Sequence, residues 1–115
     1  MVQTKNVLLI VHDLYQDDLW FPLGTGYIAA SLQKAGVNVV VCSQDVYHYT
    51  DQEMINKYLN VEYDFIALGF LAARFKETVV PLCKLITKYK GKAKLILGGH
   101  GSSAVPLYML KKTKC

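Results

Sequence analysis

Four short apolar runs, at Asn6–Val11, Val37–Cys42, Asp64–Phe70 and Ala93–Leu97, alternate along the chain with stretches of helical spacing. Each run is too short for a helix. The first is continuous and rich in β-branched residues, the pattern of a strand buried on both faces. Helix signals fill the gaps. Tyr27 to Gly36 carries Ile28, Leu32 and Ala35 at i, i+4 and i+7, and Gly36 is placed to close that helix in a left-handed cap. Thr50 and Glu53 stand three apart ahead of Met54, Ile55, Tyr58 and Leu59, which fits a capping box and a short helix over Asp51 to Leu59. Phe75, Val79, Leu82, Ile86 and Tyr89 form a long amphipathic stripe. Pro81 lies within it, so a helix starting near Thr78 puts the proline in the first turn, where its missing N–H is harmless. Gly91 ends that helix, and Pro106 suits the first turn of a last one running to about Lys112. Gln44–Tyr49 and Gly98–Ser103 read as loops.

Strand and helix therefore alternate at short spacing, which implies a parallel sheet with helices on both faces and right-handed crossovers. The expected class is an α/β, flavodoxin-like or Rossmann-like doubly wound sheet of order 2-1-3-4. A fifth strand beside strand four is the next element such a sheet calls for. The 115 residues thus read as a single domain of a longer polypeptide.

Composition narrows the function classes. At 52% hydrophobic residues the chain has ample material for a core, which excludes wholesale disorder. No apolar run approaches the roughly 20 residues of a membrane span, and no signal-peptide core precedes the first strand. A cytoplasmic protein without membrane contact is expected. The net charge of +4 comes with a lysine-rich second half, but these lysines are scattered around helical turns. Without a stripe interleaved with aromatics they read as solvated faces, not as a nucleic-acid surface. Cys42, Cys83 and Cys115 lie far apart, which fits free thiols, the first two in the core.

Ligands of such sheets bind beyond the carboxyl ends of the strands. Three loops face that crevice: His12–Gly26, Leu71–Arg74 and Gly98–Ser103. Gly98, Gly99 and Gly101 let backbone come close to a bulky ligand, and Ser102 and Ser103 bring hydroxyls. His12 and Asp13 stand at the end of strand one, near any ligand, as loop and capping residues. Asp17 and Asp18 lack further ligands at fixed spacing and read as a solvated loop. His48 reads as an inert loop residue, while His100 and Arg74 each admit both a ligand-contact and a solvated reading. Leu19-Trp20-Phe21 is more apolar than a surface loop needs; it tucks into the core, covers a flat ligand or meets another domain. A phosphorylated receiver domain needs an Asp after strand three, where this chain has Phe70-Leu71-Ala72. No nucleophile–base–orienter set is present, so this segment by itself does not read as a catalyst.

Two motifs carry a family resemblance. Pro22-Leu23-Gly24-Thr25-Gly26-Tyr27-Ile28-Ala29, followed by Leu32 to Val39, resembles the opening of cobalamin-binding domains attached to radical S-adenosylmethionine enzymes. Leu95 to Pro106, with Gly98-Gly99-His100-Gly101-Ser102, resembles the same family's V-x-G-G-x-H-x-[ST]-x-x-P segment. The resemblance implies a corrin over the carboxyl ends of the strands and a nucleotide tail running down toward the sheet. Carried over, Leu23 and Gly24 lie near the ring, Leu71, Ala72 and Ala73 flank the tail, and Gly98 to Ser102 let it pass close to backbone. The D-x-H-x-x-G motif that supplies a cobalt-ligating His in another cobalamin family is absent, so no metal ligand is assigned here. The cysteine motif for a [4Fe-4S] cluster is absent too. Cluster and S-adenosylmethionine would belong to a catalytic radical domain, in cis or in trans, performing methyl transfer or a related reaction. Two other readings stay open: the sugar-nucleotide-binding half of a glycosyltransferase-type enzyme, and an interaction domain that binds no cofactor.

Overall fold

A computed structural model describes residues 4–12, 23–70 and 76–115, and of residues 100 and 101 the backbone only. Asp13, Asp17, Asp18, the Leu19-Trp20-Phe21 cluster, Leu71, Ala72, Ala73, Arg74 and Phe75 lie outside the described residues.

The elements are β1 (Asn6–Val11), α1 (Leu23–Lys34), β2 (Asn38–Ser43), α2 (Gln44–Tyr47), α3 (Asp51–Tyr58), β3 (Phe65–Gly69), α4 (Val79–Tyr89), β4 (Lys94–Gly98), α5 (Gly99–Ala104) and α6 (Pro106–Thr113). The strands form one parallel sheet in the order β2-β1-β3-β4. This is the α/β, doubly wound arrangement the alternation implied. Its central strand, β1, buries Val7, Leu8, Leu9 and Ile10, because neighbours flank it on both edges and helices pack on both faces.

Strand register divides the residues between the two faces. Leu8 and Ile10 share one face with Cys42, Ile66, Leu68 and Leu95. Here α3, α4 and α6 lie side by side and supply Met54, Ile55, Val79, Leu82, Cys83, Ile86 and Met109. Burying each large apolar side chain contributes about 1.5–3 kcal/mol, which makes this face the main source of stability. The other face holds Val7 and Leu9, packed against Ala29 of α1. That helix covers β1 and β2.

Local signals set the helix ends. The Thr50 hydroxyl accepts from the Glu53 N–H at 3.1 Å and the Glu53 carboxylate accepts from the Thr50 N–H at 3.2 Å, so both halves of the capping box form. α1 ends as expected: Gly36 has φ +86°, its N–H donates to Gln33 and the Val37 N–H donates to Leu32. α4 begins at Val79, with Pro81 in its first turn and Val79, Leu82 and Ile86 fully buried.

Three local expectations are corrected. α1 begins at Leu23, and its inward face is Ala29 with Leu32, while Ile28 is 55% exposed. The small Ala29 side chain lets the helix lie close to the sheet. Gln44–Tyr47 is a turn of helix capped by the Ser43 side chain and closed by His48 at φ +50°. Gly98–Ser103 is not a loop: Gly98 ends β4 and Gly99 opens α5, so the chain passes directly from strand to helix.

Candidate functional site

The parallel sheet brings the ends of all four strands to one rim. His12 follows β1, Gln44 follows β2, Phe70 follows β3 and Gly99 follows β4. At this rim β3 and β4 are tied together, since the Phe70 N–H donates to the Gly98 carbonyl at 3.4 Å. Gly99 has φ +84°, and a Cβ there would meet the Phe70 carbonyl oxygen at 3.1 Å and its nitrogen at 3.3 Å. Only glycine suits both the backbone angle and the space. Gly99 is thus required by the junction itself.

Gly98 is different. Its backbone is extended, at φ −139° and ψ −176°, and a Cβ built on it meets nothing within 4 Å. A Cβ on the neighbouring Gly69 meets only the Gly98 carbonyl, at 3.9 Å. Register pairs Gly69 with Gly98 and Ala67 with Ile96, all on the α1 side of the sheet. α1 lies over β1 and β2, while α5, which opens at the rim, touches β3 and β4. Among the described residues this leaves a shallow trough at the rim, with a floor of Gly98, Gly69 and Ala67, and with Ile96, 47% exposed, paired beside Ala67. On α1, Leu23, Tyr27 and Ile28 present an exposed apolar surface near the same rim. A Cβ on Gly24, in the first turn, meets nothing within 4 Å.

The expected site residues separate into two groups. Leu23 and Gly24 open α1, and Gly98 floors the trough. Gly99 lies beside it as the β3–β4 junction. His12 sits one residue beyond Val11, so strand alternation turns it to the opposite face, where its Nε2 lies 3.1 Å from Thr78 Oγ1 at the start of α4. The half-buried His12 therefore joins β1 to α4 on the side away from the trough. Ser102 is buried, and its hydroxyl donates back to the Gly99 carbonyl at 3.3 Å. It lines a separate pocket of about 260 Å³ with Leu97, Pro106, Met109 and Cys115. His100 and Gly101 stand on the first turn of α5, and Asp13, Leu71, Ala72 and Ala73 fall outside the described residues. Among the described residues no group of three or more His, Cys, Asp or Glu side chains is arranged to hold a metal ion.

Thr78 and Ala67 were not singled out from the sequence. The pairing of Thr78 with His12 spans 66 residues, and Ala67 gains its place only through the β3–β4 register. In the main core, burial pushes the Cys42 thiol up to about 12, opposed in part by a hydrogen bond with Tyr58. Burial likewise pushes Tyr58 up to about 12. Cys83 is also pushed up to about 12 by burial. These groups are protonated and inert at neutral pH.

No family model and no curated protein matches the chain in sequence. Among solved structures, it is similar to the radical S-adenosylmethionine methyltransferase TsrM from Kitasatospora setae with cobalamin and a [4Fe-4S] cluster bound. The TM-score is 0.74 at 16% identity, covering 97% of this chain and 23% of that one. The same enzyme with tryptophan substrate and an S-adenosylmethionine analogue gives 0.71 at 15% identity, covering 96% and 22%. What they share is a fold. The chain spans about a quarter of the length of this methyltransferase. A response regulator from Burkholderia pseudomallei with a phosphorylated aspartic acid shares the fold at TM-score 0.61 and 17% identity, over 94% of this chain and 55% of that one. The present chain has no Asp at the end of β3, where the sequence reads Gly69-Phe70-Leu71, so that likeness extends to architecture alone. No described helix is long and apolar enough to cross a membrane.

Proposed function

We propose that this domain binds cobalamin, with the corrin over the rim and the nucleotide tail in the trough beside α1. The observation that carries this reading is the floor of Gly98, Gly69 and Ala67. Gly69 and Gly98 pair in register and Ala67 follows on the same face, which leaves room for a flat group against the backbone, and among the described residues nothing lies within 4 Å of a Cβ at Gly98. A trough closed by side chains would not fit such a ligand.

Leu23 and Gly24 would lie beside the ring, with the apolar surface of Tyr27 and Ile28 adjoining it. Gly98 would pass the tail, and Gly99 would hold the two strand ends in place. Leu71, Ala72 and Ala73 follow Phe70 in sequence and would flank the tail from β3. Asp13, His100, Gly101 and Ser102 belong to the segments that follow β1 and β4 at the rim. His12 serves as a positioning residue that fixes the end of β1 to α4. Cobalamin bound here would supply an alkyl-carrying cobalt to a catalytic radical S-adenosylmethionine domain, in cis or in trans. This chain's part is to bind the cofactor, orient it and exclude water beneath it. The setting is cytoplasmic, and the domain belongs to a longer polypeptide or works with one. Structural likeness to a cobalamin-bound methyltransferase supports the reading at the level of fold.

Incubation with hydroxocobalamin followed by desalting tests it. The expected result is a coloured protein carrying about one corrin per chain. A colourless protein refutes the assignment.

A further inference from the structure

β2 is an outer strand of the sheet. The fifth strand that such a sheet calls for adds beside β4, at the opposite edge, so β2 stays outermost with or without it. Asn38 donates its N–H to the Lys5 carbonyl at 2.9 Å, and Asn38, Val40 and Cys42 therefore turn their backbone groups toward β1. Alternation turns the N–H and C=O of Val39 and Val41 outward. None of these four groups has a backbone partner among the described residues.

Outer strands are commonly blunted against pairing by a charge, a proline or a bulge. β2 carries none of these. Asn38-Val39-Val40-Val41-Cys42-Ser43 is uncharged, and its 6 residues pair with β1 in unbroken register. Both faces of this edge are apolar. Val40, on the face of Cys42 and the main core, is 40% exposed, and Val41, on the α1 face, is 41% exposed. Next to them Cys42 makes a hydrogen bond with Tyr58, which stands edge-on to Tyr49 with ring centroids 6.2 Å apart. Tyr49 in turn stacks on the exposed Tyr47 at 5.4 Å. Lys57 Nζ donates to the Tyr49 hydroxyl at 2.9 Å and lies over the rings of Tyr49 and Tyr58, which holds that cation on the aromatic group.

The order of residues identifies the occupant, because Val39-Val40-Val41 is its own complement. A two-fold axis through Val40, perpendicular to the sheet, lays β2 of a second copy antiparallel along this edge. Val40 then faces Val40, and Val39 faces Val41 on either side of the axis. Each Val39–Val41 pair exchanges two N–H···O=C bonds, so every outward group named above gains a partner. No charged residue of one β2 meets its like in the other, and the exposed valines cover one another. Tyrosines at the flanks are side chains of the kind that anchor interfaces. We infer that two copies of this chain associate through β2 into one continuous sheet. Such pairing leaves the trough beside β3 and β4 open and does not depend on a bound cofactor.

Sedimentation of the intact chain over a wide range of concentration tests this, and a dimer that grows with concentration is expected. Val41→Lys places a cation at the edge and should raise the dissociation constant by about tenfold or more, whereas Val41→Thr should keep the dimer. Both substitutions fall at an exposed position, and melting of dilute samples checks that the variants fold. Cross-linking tests the register, in a Cys115→Ser background that removes the half-buried native thiol and leaves the two buried ones. Facing Val40 residues form a non-hydrogen-bonded pair with Cα atoms about 4.5 Å apart, within disulfide range. Val40→Cys should therefore link two chains on mild oxidation much faster than Val41→Cys, whose thiols lie on opposite sides of the axis. The inference is overturned if the chain is a monomer at every concentration, if Val41→Lys dimerises as well as wild type, or if Val40→Cys links no faster than Val41→Cys.

Discussion

Replacing Gly99 by alanine probes the junction that brings β3 and β4 to the rim. The new Cβ would stand 3.1 Å from the Phe70 oxygen and 3.3 Å from its nitrogen. Both are backbone atoms in a hydrogen-bonded strand end, so neither gives way without shifting β3. The backbone angle adds its own penalty, because φ +84° disfavours an L-residue by about 1–2 kcal/mol. Forcing a methyl into filled space costs about 1–3 kcal/mol more. A loss of about 3 kcal/mol lowers Tm by about 12 °C, at about 4 °C per kcal/mol for a chain of this size. Gly98→Ala is the control: its extended backbone accepts any residue, and no atom lies within 4 Å of the added methyl. Thermal melts by circular dichroism should show a large drop for Gly99→Ala and a change within about 2 °C for Gly98→Ala. Equal melting of the two variants would refute the distinction between a structural and an open glycine.

Three further outcomes are expected. Thr50→Ala removes the acceptor for the Glu53 N–H and should destabilise by about 1 kcal/mol in urea denaturation. Iodoacetamide at neutral pH should label Cys115 rapidly, and Cys42 and Cys83 only after unfolding, because both are fully buried with thiols raised to about 12; peptide mapping checks the order. The same raised values set an alkaline limit: the folded thiols keep protons that the unfolded chain releases above its ordinary value of 9.0. Stability should therefore be full below that pH and decline as pH rises toward 12, and a urea midpoint unchanged between neutral pH and pH 10 would contradict it.

Much of the architecture was legible because it is locally encoded. Continuous apolar runs marked the strands, Thr50 with Glu53 marked α3, and Pro81 and Gly36 marked helix boundaries. Periodicity does not fix the phase of a helix, however. In α1 the stripe through Ile28, Leu32 and Ala35 and the one through Ala29 and Leu32 both have helical spacing, and only packing on Val7 and Leu9 selects the second. The glycines of Gly98–Ser103 suggest a loop by propensity, yet the close approach of Gly99 to Phe70 turns the chain straight into α5. Of the candidate site, Gly98 stood out in the glycine-rich run after strand four, and Gly24 only through the family resemblance. That Gly98 lies beside Gly69, and that His12 faces Thr78, depends on pairings between distant segments.

The central claim is that the open glycine floor accommodates the cofactor. Titrating hydroxocobalamin against wild type and Gly98→Val, with visible absorption as readout, tests it most directly. Valine suits an extended backbone, so the variant should fold, as its melting temperature will verify. The account expects wild-type binding and a loss of about tenfold or more in the variant, about 1.4 kcal/mol per decade. A folded Gly98→Val that binds as tightly as wild type would contradict it.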